Sequence, residues 1–242
     1  MRWLLLVPVL ITACGFRPSE PPKSPVVVVG KATVSGRVVD LSEIPVANMR
    51  VTCSESDATV VTGADGRWSL EVPADTAITI RAVPVDPLNV YKDVTVGPLQ
   101  LSNRMNVEGL DLLSIPGSTI GGLNAIAGAD EVRGLLAVKV VSVNGKCNAV
   151  DGTLELPQTR TARAIYNLPN SSQPDRNLVK IQPNTFPHAW LSGVAPGTYN
   201  DVKFSKAGCR QLPYPVAFEK VSWLGGFRVQ TRALTQITVF VD

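Results

Sequence analysis

Histidine is almost missing from this chain: His188 is the single one in 242 residues. Without a second histidine there is no H-E-x-x-H or comparable zinc-ligand spacing, which excludes the histidine-dependent zinc peptidases. The sequence has no G-x-S-x-G nucleophile elbow, no Walker loop and no carboxylate pair that spacing alone brings together. Lysine and arginine occur singly, with no basic run, and the formal charge is only +3, so no electrostatic footprint for nucleic acid exists. Aromatic residues make up 6% of the chain, too few to fill a core and also spread a wide binding platform. These absences predict a protein with no catalytic residues, no metal site and no cofactor. His188, between Pro187 and Ala189, reads as a surface or hydrogen-bonded histidine.

No apolar stretch reaches the roughly 20 residues of a membrane-spanning helix. What is present at the N-terminus is shorter. Arg2 precedes an apolar run from Trp3 to Ile11, the charged and apolar regions of a secretion signal. Ile11-Thr12-Ala13-Cys14 resembles the bacterial lipobox. That resemblance implies cleavage before Cys14, lipid on its thiol and amine, and a stable membrane anchor, since each buried methylene contributes about 0.8 kcal/mol. Gly15 rather than Asp follows the cysteine, which points to the outer membrane of the cell envelope. Arg17–Pro25, RPSEPPKSP, is too polar and proline-rich to fold and reads as a tether.

Beyond the tether the hydrophobic period becomes two. Val26–Val29, Thr33–Asp40, Val46–Cys53, Thr59–Thr62, Arg67–Val72, Ala77–Val83, Asp93–Leu101 and Met105–Leu113 read as strands bounded by Pro, Gly, Asp or Asn. Ser114–Ala129 is rich in small residues and glycine and reads as part of a linker, although Ile120, Leu123 and Ile126 recur at the spacing of a helix turn. The alternation resumes over Leu136–Val143, Thr153–Leu156, Ala162–Asn167, Lys180-Ile181, His188–Leu191, Thr198–Phe204, Val216–Val221 and Phe227–Val241. Asn144-Gly145 is the strongest hairpin signal. The expected architecture is all-β, with two sandwich domains: signal 1–13, tether 14–25, first sandwich 26–113, Gly-rich linker 114–132 and second sandwich 133–242.

VSGRVVDLSEIPVANMRVTCSESDATVVTGADGRWSLEVP resembles the carboxypeptidase regulatory-like domain, a transthyretin-like sandwich. Gly36, Val38 and Asp40, then Pro45, Val46, Met49 and Val51, then Thr62, Asp65, Gly66, Trp68 and Leu70 carry the likeness. Ile44, Asn48 and Asp75-Thr76-Ala77 stand where the family has glycines, so remodelled turns are expected there, Asn tolerating a left-handed backbone. Asp65-Gly66 reads as a tight turn, since one carboxylate is no calcium loop. In the second half, Val194-Ala195-Pro196-Gly197-Thr198-Tyr199 is similar to a turn of the same superfamily and suggests a divergent second copy.

Of four cysteines, Cys14 is assigned to lipid, which leaves an odd number. Cys147 and Cys209 share a half and sit beside glycine-marked turns, so they are expected to form a disulfide, with Cys53 a buried free thiol. Three function classes fit. The first is a lipid-anchored structural or interaction module that meets another envelope protein. The second is a carbohydrate- or peptidoglycan-binding protein, for which exposed aromatic platforms are required. Tyr166, Trp190, Tyr199 and Trp223, with Tyr91 and Tyr214, are the candidate ligand-contacting rings. The third is a small-ligand carrier using a cleft between the halves. An exposed coplanar pair of rings favours sugar; buried rings favour the interaction module.

Overall fold

The computed structural model describes residues 30–184 and 187–242; the signal, Cys14, the tether and the expected strand Val26–Val29 lie outside the described residues. The first half contains β1 (Lys31–Val39), β2 (Met49–Cys53), β3 (Thr59–Val61), β4 (Arg67–Pro73), β5 (Ile78–Pro84), β6 (Val94–Gln100), β7 (Asn106–Val107) and β8 (Leu112–Leu113). Helix α1 (Gly117–Ile126) leads to β9 (Gly134–Ser142), β10 (Thr153–Glu155), β11 (Arg163–Asn167), β12 (Pro174–Asp175) and β13 (Ala189–Val194). The chain ends with β14 (Gly197–Tyr199), β15 (Lys203–Ser205), β16 (Val216–Phe218), β17 (Val221–Trp223), β18 (Phe227–Val229) and β19 (Leu234–Val241). The class is all-β, as the period-two patterning predicts.

The first sandwich sets β4, β1, β7 and β8 against a layer containing β6, β5, β2 and β3. Alternation in β4 is strict: Trp68, Leu70 and Val72 face inward while Arg67, Ser69 and Glu71 stay exposed. Three turns of this half hold non-glycine residues in the left-handed region. Asn48 and Asp75 adopt φ 57° and 56°, and Glu43, next to Ile44, adopts 61°. Asn and Asp tolerate this region because their short side chains hydrogen-bond locally. Gly66 has φ 68°, and a Cβ there would lie 2.5 Å from the Val38 carbonyl oxygen. Buried Thr62 donates to the Val46 carbonyl at 2.9 Å and accepts from the Met49 N–H at 3.0 Å, joining two loops.

The two halves are not joined end to end. One sheet runs in the order β12-β11-β13-β9-β19-β6-β5-β2-β3, so β19 lies between β9 of the second half and β6 of the first. It pairs parallel to both, over Leu234–Val241 with β9 and over Leu234–Gln236 with β6. Consequently the central strands are apolar on both faces, which is why GLLAVKVV reads as a nearly continuous hydrophobic run. Leu135 and Ala137 of β9, Trp190 of β13 and Leu234 of β19 enter the first core. Their neighbours Leu136, Val138, Leu191 and Val239 enter the second. Residues 114–132, expected as a Gly-rich linker, follow the last strand of the first half and precede β9.

Within that segment α1 forms where Ile120, Leu123 and Ile126 recur at helical spacing. Ile120 and Leu123 are buried in the first core, and Asn124 is fully buried. The Asn124 side-chain oxygen accepts from the Ser192 hydroxyl at 2.5 Å and the Gly193 N–H at 3.0 Å, while its amide donates to the Arg133 carbonyl at 3.0 Å. An Asn124→Leu change leaves those groups buried without partners. The expected loss is about 2 to 4 kcal/mol, or roughly 5 to 15 °C in Tm, read by thermal unfolding. A shift below about 2 °C would show that α1 is dispensable.

Other expectations are revised. Asn144-Gly145 turns the chain, Gly145 having φ 73°, but makes no hairpin with β9 because both edges of that strand are taken by β13 and β19. Strand β10 pairs with β15 instead. Met105–Leu113 divides into β7 and β8 around Gly109, whose φ is 78°. Ile181 is buried without belonging to a strand. The Cys147–Cys209 disulfide is present with α-carbons 5.5 Å apart, and Cys53 is a buried free thiol. Among the described residues, no helix is long and apolar enough to cross a membrane.

Candidate functional site

A cleft of about 790 Å³ opens at the joint between the two cores. Its origin lies in strand length. On one face of β9, Leu135 and Ala137 are covered by the first core, but Lys139 and Val141 extend past it. On the same face of β19, Leu234 is covered while Thr238 and Phe240 extend past, with Gln236 at the transition. Strand β6 does not continue alongside: after Val96 it bends at Gly97, whose φ is 117°, and pairs through Leu99 and Gln100 with β17. The overhang of β9 and β19 forms the floor. Gln236 fixes the near wall, accepting from the Leu113 N–H at 2.9 Å and donating to the Asp111 carbonyl at 3.3 Å.

Three segments wall the cleft: the end of β1 with the following loop, the loop between β7 and β8, and the β16–β17 hairpin. Arg37 and Asp111 hold two walls together, with a backbone N–H to carboxylate bond of 2.8 Å and a guanidinium to carboxylate contact of 2.9 Å. The hairpin corrects the single strand expected over Val216–Val221. Glu219 and Lys220 form its two-residue turn at φ 48° and 67°, the left-handed pair that such a turn demands, without the usual Asn or Gly. Each such residue costs of order 1 to 3 kcal/mol, sustained here because β17 is bonded to both β16 and β6. Phe218 and Trp223 flank the turn and meet Phe240 of the floor at centroid distances of 5.5 and 5.8 Å.

The candidate rings are distributed otherwise than a sugar platform requires. Tyr166, Trp190 and Tyr199 are buried and offer no exposed face. Tyr166 accepts from the Leu154 N–H at 2.9 Å, and Trp190 donates to Asn167 at 3.0 Å. Tyr199 donates to the Ala195 carbonyl at 2.7 Å and stacks on Phe227 at 5.8 Å. Half-buried Tyr91 donates to Asp40 at 3.3 Å, and Tyr214 donates to the Thr238 carbonyl. Burial pushes the Tyr166 and Tyr214 hydroxyls above the usual tyrosine range, which keeps them protonated donors or acceptors. Trp223 alone of the four lies at the cleft, half-buried and tilted 55° to Phe240. Phe218, half-buried at the cleft, and Phe240, buried beneath it, were not singled out by sequence, since an alternating run gives no sign of which rings line a cleft.

His188 is a hydrogen-bonded histidine, as its sequence context suggests. Its Nδ1 accepts from the Val140 N–H at 2.9 Å, and burial, reinforced by Lys139, lowers its pKa from 6.5 to about 4. The neutral ring is thus the native form. Its contribution to stability is complete above pH 6.5 and is lost as pH falls toward 4, to a total of about 3 kcal/mol. Urea midpoints between pH 7 and 4 should fall more steeply for the native chain than for His188→Gln. Parallel curves would contradict the assignment.

No protein-family model matches the chain, and no curated protein matches it. Some solved structures show partial likeness. A type II cohesin-X-dockerin complex mutant from Acetivibrio cellulolyticus aligns at 14% identity and a TM-score of 0.29, covering 49% of this chain and 81% of that one. The Bacillus anthracis TIE protein aligns at 16% identity and a TM-score of 0.25, covering 88% of this chain and 34% of that one. A streptococcal ancillary pilin aligns at 13% identity and a TM-score of 0.25, covering 88% and 62%. At these values the likeness carries no functional argument, and function is argued from this chain's own residues.

Proposed function

We propose that the protein is a non-catalytic interaction module, held at the outer membrane of the bacterial envelope by lipid on Cys14, that engages another envelope protein through the cleft at the joint of its two sandwiches. The observation that carries this reading is the cleft itself, a cavity of about 790 Å³ across the joint of the two cores. That volume falls within the range of preformed binding sites. The lipobox and the tether after it supply the anchor in this account. Kinship of the first sandwich with carboxypeptidase regulatory-like domains belongs to the same reading, supported by the left-handed Asn48 and Asp75 at its glycine positions. The division at 114–132 and a divergent second copy after it are retained as part of the proposal.

A glycan ligand is the second reading, favoured by one observation, the half-buried Trp223 beside Phe218 in the cleft. Exposed acidic residues from three segments, Glu43, Glu108 and Glu219, surround those rings and suit a charged protein partner better than a neutral sugar, so protein comes first.

The test places a photo-crosslinking residue at Lys220, on the cleft rim, or at Arg50, exposed on β2 away from it, in the native cell. Adducts from position 220 alone support the reading; equal adducts from both, or adducts from position 50 alone, oppose it. Membrane fractionation of Cys14→Ala tests the anchor, with release from membranes as the expected result and unchanged partition the contrary one.

A further inference from the structure

Resting on the reading of the cleft as a docking surface, we propose that its occupant is an extended, cationic segment of a partner protein, lysine or arginine alternating with apolar side chains. Charge is the first ground. The chain as a whole is positive, at +3, yet the cleft reverses that sign. Arg37 and Asp111 neutralise each other across two walls. What remains is Asp40, Glu43, Glu108 and Glu219 against Lys139 and Lys220. Glu43, Glu108 and Glu219 are exposed and come from three separate segments, the loop after β1, the loop before β8 and the β16–β17 turn, so each wall carries an exposed acidic residue.

The floor is the second ground. Phe218 and Trp223, both half-buried and packed on the buried Phe240, present apolar ring surface beside those acidic residues. Aliphatic stems of lysine or arginine pack on such rings while their charged ends reach the rim, and a cation near an aromatic face gains further attraction. An anion meets the wrong sign here, and a neutral sugar gains nothing from the charge of the walls. Length is the third ground. The cleft is lined along β19 from Gln236 to Phe240, which at about 3.3 Å per residue matches an extended segment of four or five residues.

The test uses the full chain in neutral detergent with fluorescent, acetylated and amidated heptapeptides of alternating lysine and valine. Counterparts carry glutamine or glutamate in place of lysine, and an N-acetylglucosamine tetramer serves as the sugar probe. The lysine peptide is expected to bind at least about ten-fold more tightly than the glutamine peptide, with salt weakening it. The triple variant Glu43→Gln, Glu108→Gln, Glu219→Gln, altered only at exposed positions, is expected to lose about ten-fold affinity for the lysine peptide and none for the glutamine peptide. Equal binding of the lysine and glutamine peptides, preference for the glutamate peptide or the sugar, or full affinity in the triple variant overturns the cationic occupant. In those cases the docking surface itself stands if Phe218→Ala weakens whichever probe binds. If no probe binds, the cationic occupant is overturned, and the docking reading is then decided separately by the crosslinks from position 220.

Discussion

A chain ending at Ala233 is expected to lose its cooperative unfolding transition in both halves at once. Strand β19 buries Leu234 in the first core and Ile237, Val239 and Val241 in the second, with Phe240 buried at the cleft floor. At roughly 1.5 to 3 kcal/mol for each of these side chains, their burial contributes roughly 8 to 15 kcal/mol. That equals the whole stability of an ordinary protein, about 5 to 15 kcal/mol. The truncation also bares the edges of β6 and β9, whose backbone groups then need other partners. For the same reason a fragment 26–113 is expected to lack a sharp transition unless the remainder is supplied in trans. Circular dichroism in urea reads both; a truncated chain that keeps a two-state transition near the native midpoint would contradict the shared-strand account.

The second large effect is the disulfide. Cys147 and Cys209 lie 62 residues apart in sequence and close a loop that contains β10, β11, β12, β13, β14 and β15. On the chain-entropy model, cross-linking a loop of that length contributes about 4 kcal/mol. Cys147 is buried in the second core, so Ala replaces it with less disturbance than Ser. The Cys147→Ala/Cys209→Ala variant should lose about 4 kcal/mol, with the loss largest in strands β10 and β15 near the bridge. A loss below about 1 kcal/mol would mean that the unfolded chain is already constrained there. An oxidising compartment is what lets such a bond persist, in keeping with the envelope location proposed for the mature protein.

How far the sequence discloses this depends on whether the cause is local. Strands β2, β4 and β5 are the most legible because each alternates inward apolar with outward polar residues and is bounded by turn residues. Cys53 and the Cys147–Cys209 pair are legible from counting and spacing. The Glu219-Lys220 hairpin is not, since neither residue carries the turn chemistry that announces a left-handed pair. The cleft is least legible of all. It depends on β19 finding β6 some 140 residues earlier, where Thr95 bonds Thr235 at 3.3 Å, and on β6 then leaving at Gly97. A hydrophobic period tells a strand which face to bury but not which neighbour it will take. Trp223 could be named from sequence as a contact residue, but nothing local marks Phe218 as its neighbour in the cleft.

A cleft built across the joint is a fixed feature only if the two cores open together, and native-state hydrogen exchange measures that directly. Amides of β5 in the first half and β13 in the second, each separated from β19 by one strand, should exchange with the same opening free energy and the same dependence on denaturant. Two distinct opening free energies, with a smaller denaturant dependence for one half, would show that the halves unfold separately and would contradict the account.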